Sequence, residues 1–336
     1  MSKSRRLEKR YAKWGYIFSI PFMVAFMLFQ FWPLAKTILL AFTDLRGAGN
    51  TEWHWLTSVG KPWYECFKSV VTAKMFQKAF VNTFYFWIVE VVPEWILAFW
   101  LAAVMTDRRF QLKGKMLFRT TYFLPKLVSG VTLGALFLTV MLTFLDQFFE
   151  KFFTIVALDG FGIQFEDLKF LVEPQTWIII VNLYIHFGAT FVYLYAGISG
   201  IPVEIFEAAE IDGANRLQTF FRVTLPCMKP IVLFVAIMSI LDGLGMWEIV
   251  SALGYDQDGT NATTTIMIFI RNQAFLAGNY GRASAASVIL LAIYAVVCGF
   301  AFFLLRDKDE AALKKLRRME AREARKSNKE LNAAKA

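Results

Sequence analysis

Residues 201–226, IPVEIFEAAEIDGANRLQTFFRVTLP, are a polar and helix-prone insert between two long apolar runs, 176–199 and 228–253. Pro202 suits a first helical position, Asp212 and Gly213 favour a turn, and Leu217, Phe220 and Phe221 recur at helical spacing. The insert reads as two short helices broken at a glycine, the second stopped by Leu225 and Pro226. A loop built this way offers an exposed, partly apolar helical knob, the shape that a helix-in-groove contact with another protein requires.

Outward from the insert, the chain alternates apolar runs with short charged ones. Hydrophobic residues make up 57% of the 336, and a membrane-crossing helix needs about 20 of them in succession. Six spans are expected, at 15–41, 79–105, 117–145, 176–199, 228–253 and 284–305. These runs are far too long for barrel strands of about 9–11 residues, so the fold class is an all-α integral membrane protein with six transmembrane helices. The reading divides the chain into a basic N-terminus (1–14), a six-span domain (15–305) that carries the 201–226 loop, and a basic tail (306–336). The apolar run from Gly15 to Phe42 is too long for a signal peptide and reads as an uncleaved anchor, bent near Pro21 and Pro33.

Lysine and arginine set the orientation. Lys3, Arg5, Arg6, Lys9, Arg10 and Lys13 precede the first span; Arg108, Arg109, Lys113, Lys115 and Arg119 separate the second and third; Arg216, Arg222 and Lys229 surround the insert. Eleven more follow residue 305, whereas the segment 147–175 has only Lys151 and Lys169 against five carboxylates. Both termini and the insert are therefore expected in the cytosol. The net charge of +9 sits where this rule places it, so it gives no reason to expect a nucleic-acid partner.

The insert resembles the EAA loop of permease subunits of ATP-binding cassette importers. Glu207, Ala208, Ala209, Asp212, Gly213, Ala214, Phe220, Leu225 and Pro226 fit that pattern, with Val223 in place of its usual isoleucine. The segments IPVEIFEAA (201–209), FRTTYFLP (118–125) and YGRASAAS (280–287) resemble the carbohydrate-uptake branch, of the maltose and glycerol-phosphate type. The long anchor and the motif-free tail fit the first subunit of a permease pair. The stretch LGYDQDGTNATTT (253–265) departs from that branch, where a TGGP-like turn is usual.

The resemblance implies an ATPase dimer, a second permease subunit, an extracellular solute-binding protein, and a sugar or oligosaccharide as cargo, in a bacterial cytoplasmic membrane. It also implies that Glu207, Ala208, Ala209, Asp212 and Gly213 form a coupling helix seated in the ATPase. There Glu207 would pair with a basic group, the alanines permit close approach, and Gly213 allows the turn. No phosphate-cradling glycine loop is present: Gly60-Lys61 is followed by Pro62 and Gly114-Lys115 by Met116. ATP is therefore expected on a separate subunit, with no cofactor on this chain and no enzymatic activity of its own.

Ionisable groups inside spans usually face a cavity or a partner, because a charge at mid-bilayer costs about 2.5–3.5 kcal/mol. Glu90, Glu94, Asp242 and Glu248 meet that description, with Glu90 and Glu94 on one helical face around Pro93. Packing and pore readings of that pair are both open. Asn182, His186 and Tyr193 share a face of the fourth span, suited to hydroxyls and to a sugar ring, although His186 also reads as a packed residue. Trp247 and Glu248 offer another ring and carboxylate, or an interface anchor. His54 and His186 have no ligand-spaced partners, so no metal is expected. The alternative function is a self-sufficient secondary transporter or channel that uses the intramembrane carboxylates.

Overall fold

The computed structural model describes residues 3–47, 52–107, 114–140, 174–253, 262–306 and Met319. Among the described residues the regular elements are helices, with two isolated bridges, Thr43 with Trp55 and Arg46 with Asn279. Residues 147–173 of the outer segment read at 147–175, residues 254–261, the cations Arg108, Arg109 and Lys113, and the tail beyond Arg306 except Met319 lie outside them.

Among the described residues five helices are long and apolar enough to cross a membrane, and six spans result when one sharply bent pair is counted as one. The first combines α1 (Lys3–Phe26), a π-helical turn (Met27–Phe31) and α2 (Trp32–Leu40). α3 (Glu65–Val71) is short, and α4 (Lys74–Thr106) runs 33 residues through Pro93. α5 (Lys115–Leu127) and α6 (Gly130–Val140) follow, then α7 (Pro174–Ser199), α8 (Val203–Ile211) and α9 (Arg216–Thr219). A second π-helical turn (Phe220–Thr224) leads to α10 (Leu225–Cys227) and α11 (Lys229–Leu244). α12 (Glu248–Ala252), α13 (Ile266–Arg271), a third π-helical turn (Asn272–Leu276) and α14 (Tyr280–Leu305) complete the order.

The third expected span is not one straight helix. α5 and α6 meet at 93°. Pro125 in the last turn of α5 has no amide N–H to donate, and Val128 then drops into an extended conformation (φ −87°, ψ 140°) before Gly130 starts α6. Nor does Pro226 stop the helix of the insert: α10 carries it in its first turn, where a proline amide is not missed. The wider π-helical turn just before it, like the one ahead of Pro33, keeps the ring clear of the preceding carbonyls. Pro202, expected at a first helical position, caps α8 from one residue earlier.

By packing, the chain forms two compact units, Met1–Tyr85 with Leu244–Ile293, and Phe86–Gly243 with Tyr294–Ala336. In the first, the Asn82 amide donates to the carbonyls of Ala262 (3.0 Å) and Thr264 (3.1 Å). Arg282 donates to the carbonyl of Ser69 (2.9 Å) and lies over the Phe269 ring. In the second, Ala98, Met105, Phe191, Leu194, Ile198 and Met228 belong to an apolar core built from α4, α7, α11 and the residue just before α11. α7 is its central helix, with buried residues recurring at three- and four-residue steps on more than one side.

Candidate functional site

Two features of the second unit carry chemistry. The first is a polar cavity of about 40 Å³. α4 supplies Glu90 and Glu94, α5 supplies Lys126, α7 supplies His186, Thr190 and Tyr193, and α11 supplies Ser239 and Asp242. Both glutamates are only 3% exposed. His186 Nδ1 lies 3.0 Å from Glu90 Oε1 and its Nε2 lies 3.7 Å from Asp242 Oδ2, so a proton on Nδ1 places the imidazole as donor to Glu90. Lys126 Nζ donates to Asp242 Oδ2 at 3.0 Å, and Thr190 Oγ1 donates to Glu94 Oε1 at 2.6 Å. Glu90 Oε2 is buried with no hydrogen-bond partner among the described residues.

The local sequence explains the placement. Glu90 and Glu94 are one turn apart on α4, and His186 and Thr190 are one turn apart on α7, so two carboxylates meet two partners side by side. Lys126 and Asp242 sit near the ends of α5 and α11, where the helices break, and a Cβ at Gly243 would lie 2.0 Å from Trp87 Cδ1. Interrupted helices around a polar centre are the arrangement transporters use to hold polar cargo. At this volume the cavity holds roughly three water molecules and no sugar ring.

Of the expected path residues, His186, Tyr193 and Asp242 meet here, together with Glu90 and Glu94. Asn182 does not line the cavity: it is buried one turn along α7, its Nδ2 without a hydrogen-bond partner among the described residues. Trp247 and Glu248 belong to the other unit, where Trp247 caps α12 and Glu248 opens it, both exposed. Lys126 was missed by the sequence reading, although a lysine well inside an apolar run, in FLPKL, carries the same signal as the carboxylates.

The second feature is the loop after α7. α8 ends in a Schellman motif, with Ala214 N–H donating to the Ala209 carbonyl (3.0 Å) and Gly213 N–H to that of Glu210 (3.1 Å). Gly213 holds φ +76°, the left-handed conformation this motif needs. Asn215 and Gln218 then close a capping box on α9, both bonds 2.9 Å. Glu207, Ala208, Asp212 and Gly213 are exposed, whereas Ala209 is buried against its own chain and serves packing. The knob also presents Ile211 at 86% and Leu217 at 71% exposure. Beneath it lies a cleft of about 570 Å³ with Met105, Ile198 and Ile201 among its apolar walls and Asp107, Glu210 and Arg216 among its charged ones.

No family model matches the chain. The multiple sugar-binding transport system permease protein MsmF of Streptococcus mutans is 28% identical over 297 residues, covering 87% of this chain and 94% of its own. The lactose transport system permease protein LacF of Rhizobium radiobacter is 26% identical over 307 residues, covering 90% and 97%. Among solved structures, a chain of a bacterial ABC transporter involved in the import of the acidic polysaccharide alginate matches at TM-score 0.67 and 20% identity, over 90% of this chain and 98% of that one. The chain is thus a homologue of the permease subunits of sugar importers of the ATP-binding cassette class, and it has their helical membrane fold.

Proposed function

We propose that this chain pairs with a second permease subunit to form the translocation path for a sugar or oligosaccharide, and that α8 couples it to a separate ATP-hydrolysing subunit. The observation that carries this reading is the geometry of α8. It is a short helix closed by a Schellman turn, with Phe206 packed on the apolar core and Ala209 buried, Glu207 exposed, and an apolar rim at Ile211 and, in α9, Leu217. In this reading the termini and α8 face the cytosol of a bacterial cell, and an extracellular binding protein delivers the cargo from the opposite side. The polar cavity is the closed waist of the path, which widens when the ATPase closes.

The test is the substrate-stimulated ATPase rate of the reconstituted complex, with the native chain set against Glu207→Ala and Gly213→Pro and assembly checked by co-purification. Loss of stimulation in assembled variants, or failure to retain the ATPase, is the expected result. Full stimulated hydrolysis and uptake in both would overturn it. The cluster Glu90, His186, Asp242 and Lys126 would then favour the second reading, a self-sufficient transporter that uses these charges.

A further inference from the structure

The polar cavity offers acceptors and no cation to spare. Three carboxylates line it, Glu90, Glu94 and Asp242, against one lysine and one histidine. Both of the latter are engaged: Lys126 Nζ lies 3.0 Å from Asp242 Oδ2, and His186 Nδ1 lies 3.0 Å from Glu90 Oε1. What is left over is an acceptor. Glu90 is 3% exposed and lines the cavity, yet its second oxygen, Oε2, has no hydrogen-bond partner among the described residues. A glutamate that takes up a proton becomes a neutral donor, which alters the number of anions and leaves the number of cations as it was.

A cargo that passes a narrow waist inside the bilayer exchanges its water for whatever the wall provides. Sugar hydroxyls donate hydrogen bonds, and a carboxylate is a strong acceptor for them. A carboxylated, sulfated or phosphorylated sugar instead brings an anion that must find a cation. Lys126 can serve it only by leaving Asp242, which strands a second anion in the same centre. We infer that Glu90, Glu94, His186, Asp242 and Lys126 make the waist a charge filter, which admits neutral or amino-bearing sugars and refuses acidic ones. The inference rests on the reading of the cavity as part of the translocation path. Asp242 is then the residue that sets the sign of the filter, because its removal frees the lysine for an anion.

The filter is read with small thiol reagents rather than with a sugar, so that no binding protein selects the probe first. The three native cysteines are changed to serine and Ser239→Cys is placed in the cavity wall, with Ala189→Cys as a second position in case the first does not assemble. The complex with the second permease and the ATPase is trapped with ADP and vanadate. Rates are then compared for a trimethylammonioethyl and a sulfonatoethyl methanethiosulfonate, each divided by its rate with free 2-mercaptoethanol, so that the ratio cancels the reactivity of the thiol itself. The cation is expected to react several-fold faster, and Asp242→Asn to lower the ratio several-fold, a drop that belongs to this chain whatever the second subunit adds to the path. Equal rates, a faster anion, or a ratio unmoved by Asp242→Asn overturns the filter while leaving the path reading in place. If even uncharged methyl methanethiosulfonate reaches neither cysteine in the trapped complex, the path reading fails and the filter with it.

Discussion

Gly188 sets how closely α5 and α7 can approach. A Cβ there would lie 1.7 Å from the Tyr122 carbonyl oxygen, a backbone atom that cannot step aside. Gly188→Ala is therefore expected to cost at least the roughly 1–3 kcal/mol of an overpacked core and to lower the melting temperature in detergent. Gly299→Ala, which lies inside α14 and meets nothing within 4 Å, should hold or slightly raise it. Thr190→Val keeps the shape but removes a donor that Glu94 Oε1 has among the described residues, so a loss of about 1–3 kcal/mol is expected in the same assay. In the first unit, burial first and the charge of Glu65 second push the Cys66 thiol up, and its S–H points at the Thr43 carbonyl. A raised thiol has less thiolate at neutral pH. Maleimide labelling of Cys66 should thus lag behind that of exposed Cys227 at pH 7 and gain on it as pH rises.

At the scale of elements, Gly213 separates geometry from contact. Its φ of +76° forbids proline and strains alanine by about 1–2 kcal/mol, yet a Cβ there meets open space. Stimulated ATPase activity in the assembled complex should accordingly fall in the order Gly, Asn, Ala, Pro, because asparagine tolerates the left-handed region; equal activity across the series would show that the turn does not matter. The turn at Gly213 was legible because Asp-Gly is a local signal, and α8 because its pattern is local too. The breaks were less legible. Pro226 looks like a stop in sequence, but whether a proline ends a helix depends on whether the preceding turn can widen, as Phe220–Thr224 does. The 93° bend after Leu127 likewise needs the neighbours that take up Lys126.

At the scale of the molecule, length and hydropathy place the spans to within a few residues, since crossing a bilayer demands a continuous apolar run whatever the neighbours are. They do not say which face of a span meets which, so Glu90 and His186, 96 positions apart, could be flagged separately but not joined. The first span, Tyr16–Leu40, buries none of its apolar window in its own chain. Among the described residues its apolar faces are thus left open to lipid or to another subunit. If the proposed pairing covers this helix, co-expression with a second permease subunit is expected to slow its proteolysis in membranes, as followed by timed digestion; equal rates would count against a subunit contact there.

The charge cluster also bears on how such chains diverge. Neutralising Lys126 alone strands Asp242 beside two further carboxylates, whereas neutralising both members of the pair leaves a polar but balanced centre. Drift at positions 126 and 242 is then expected to be joint: lineages that give up the cation give up the anion as well, and an aligned set of relatives should show the two exchanging together more often than either changes alone.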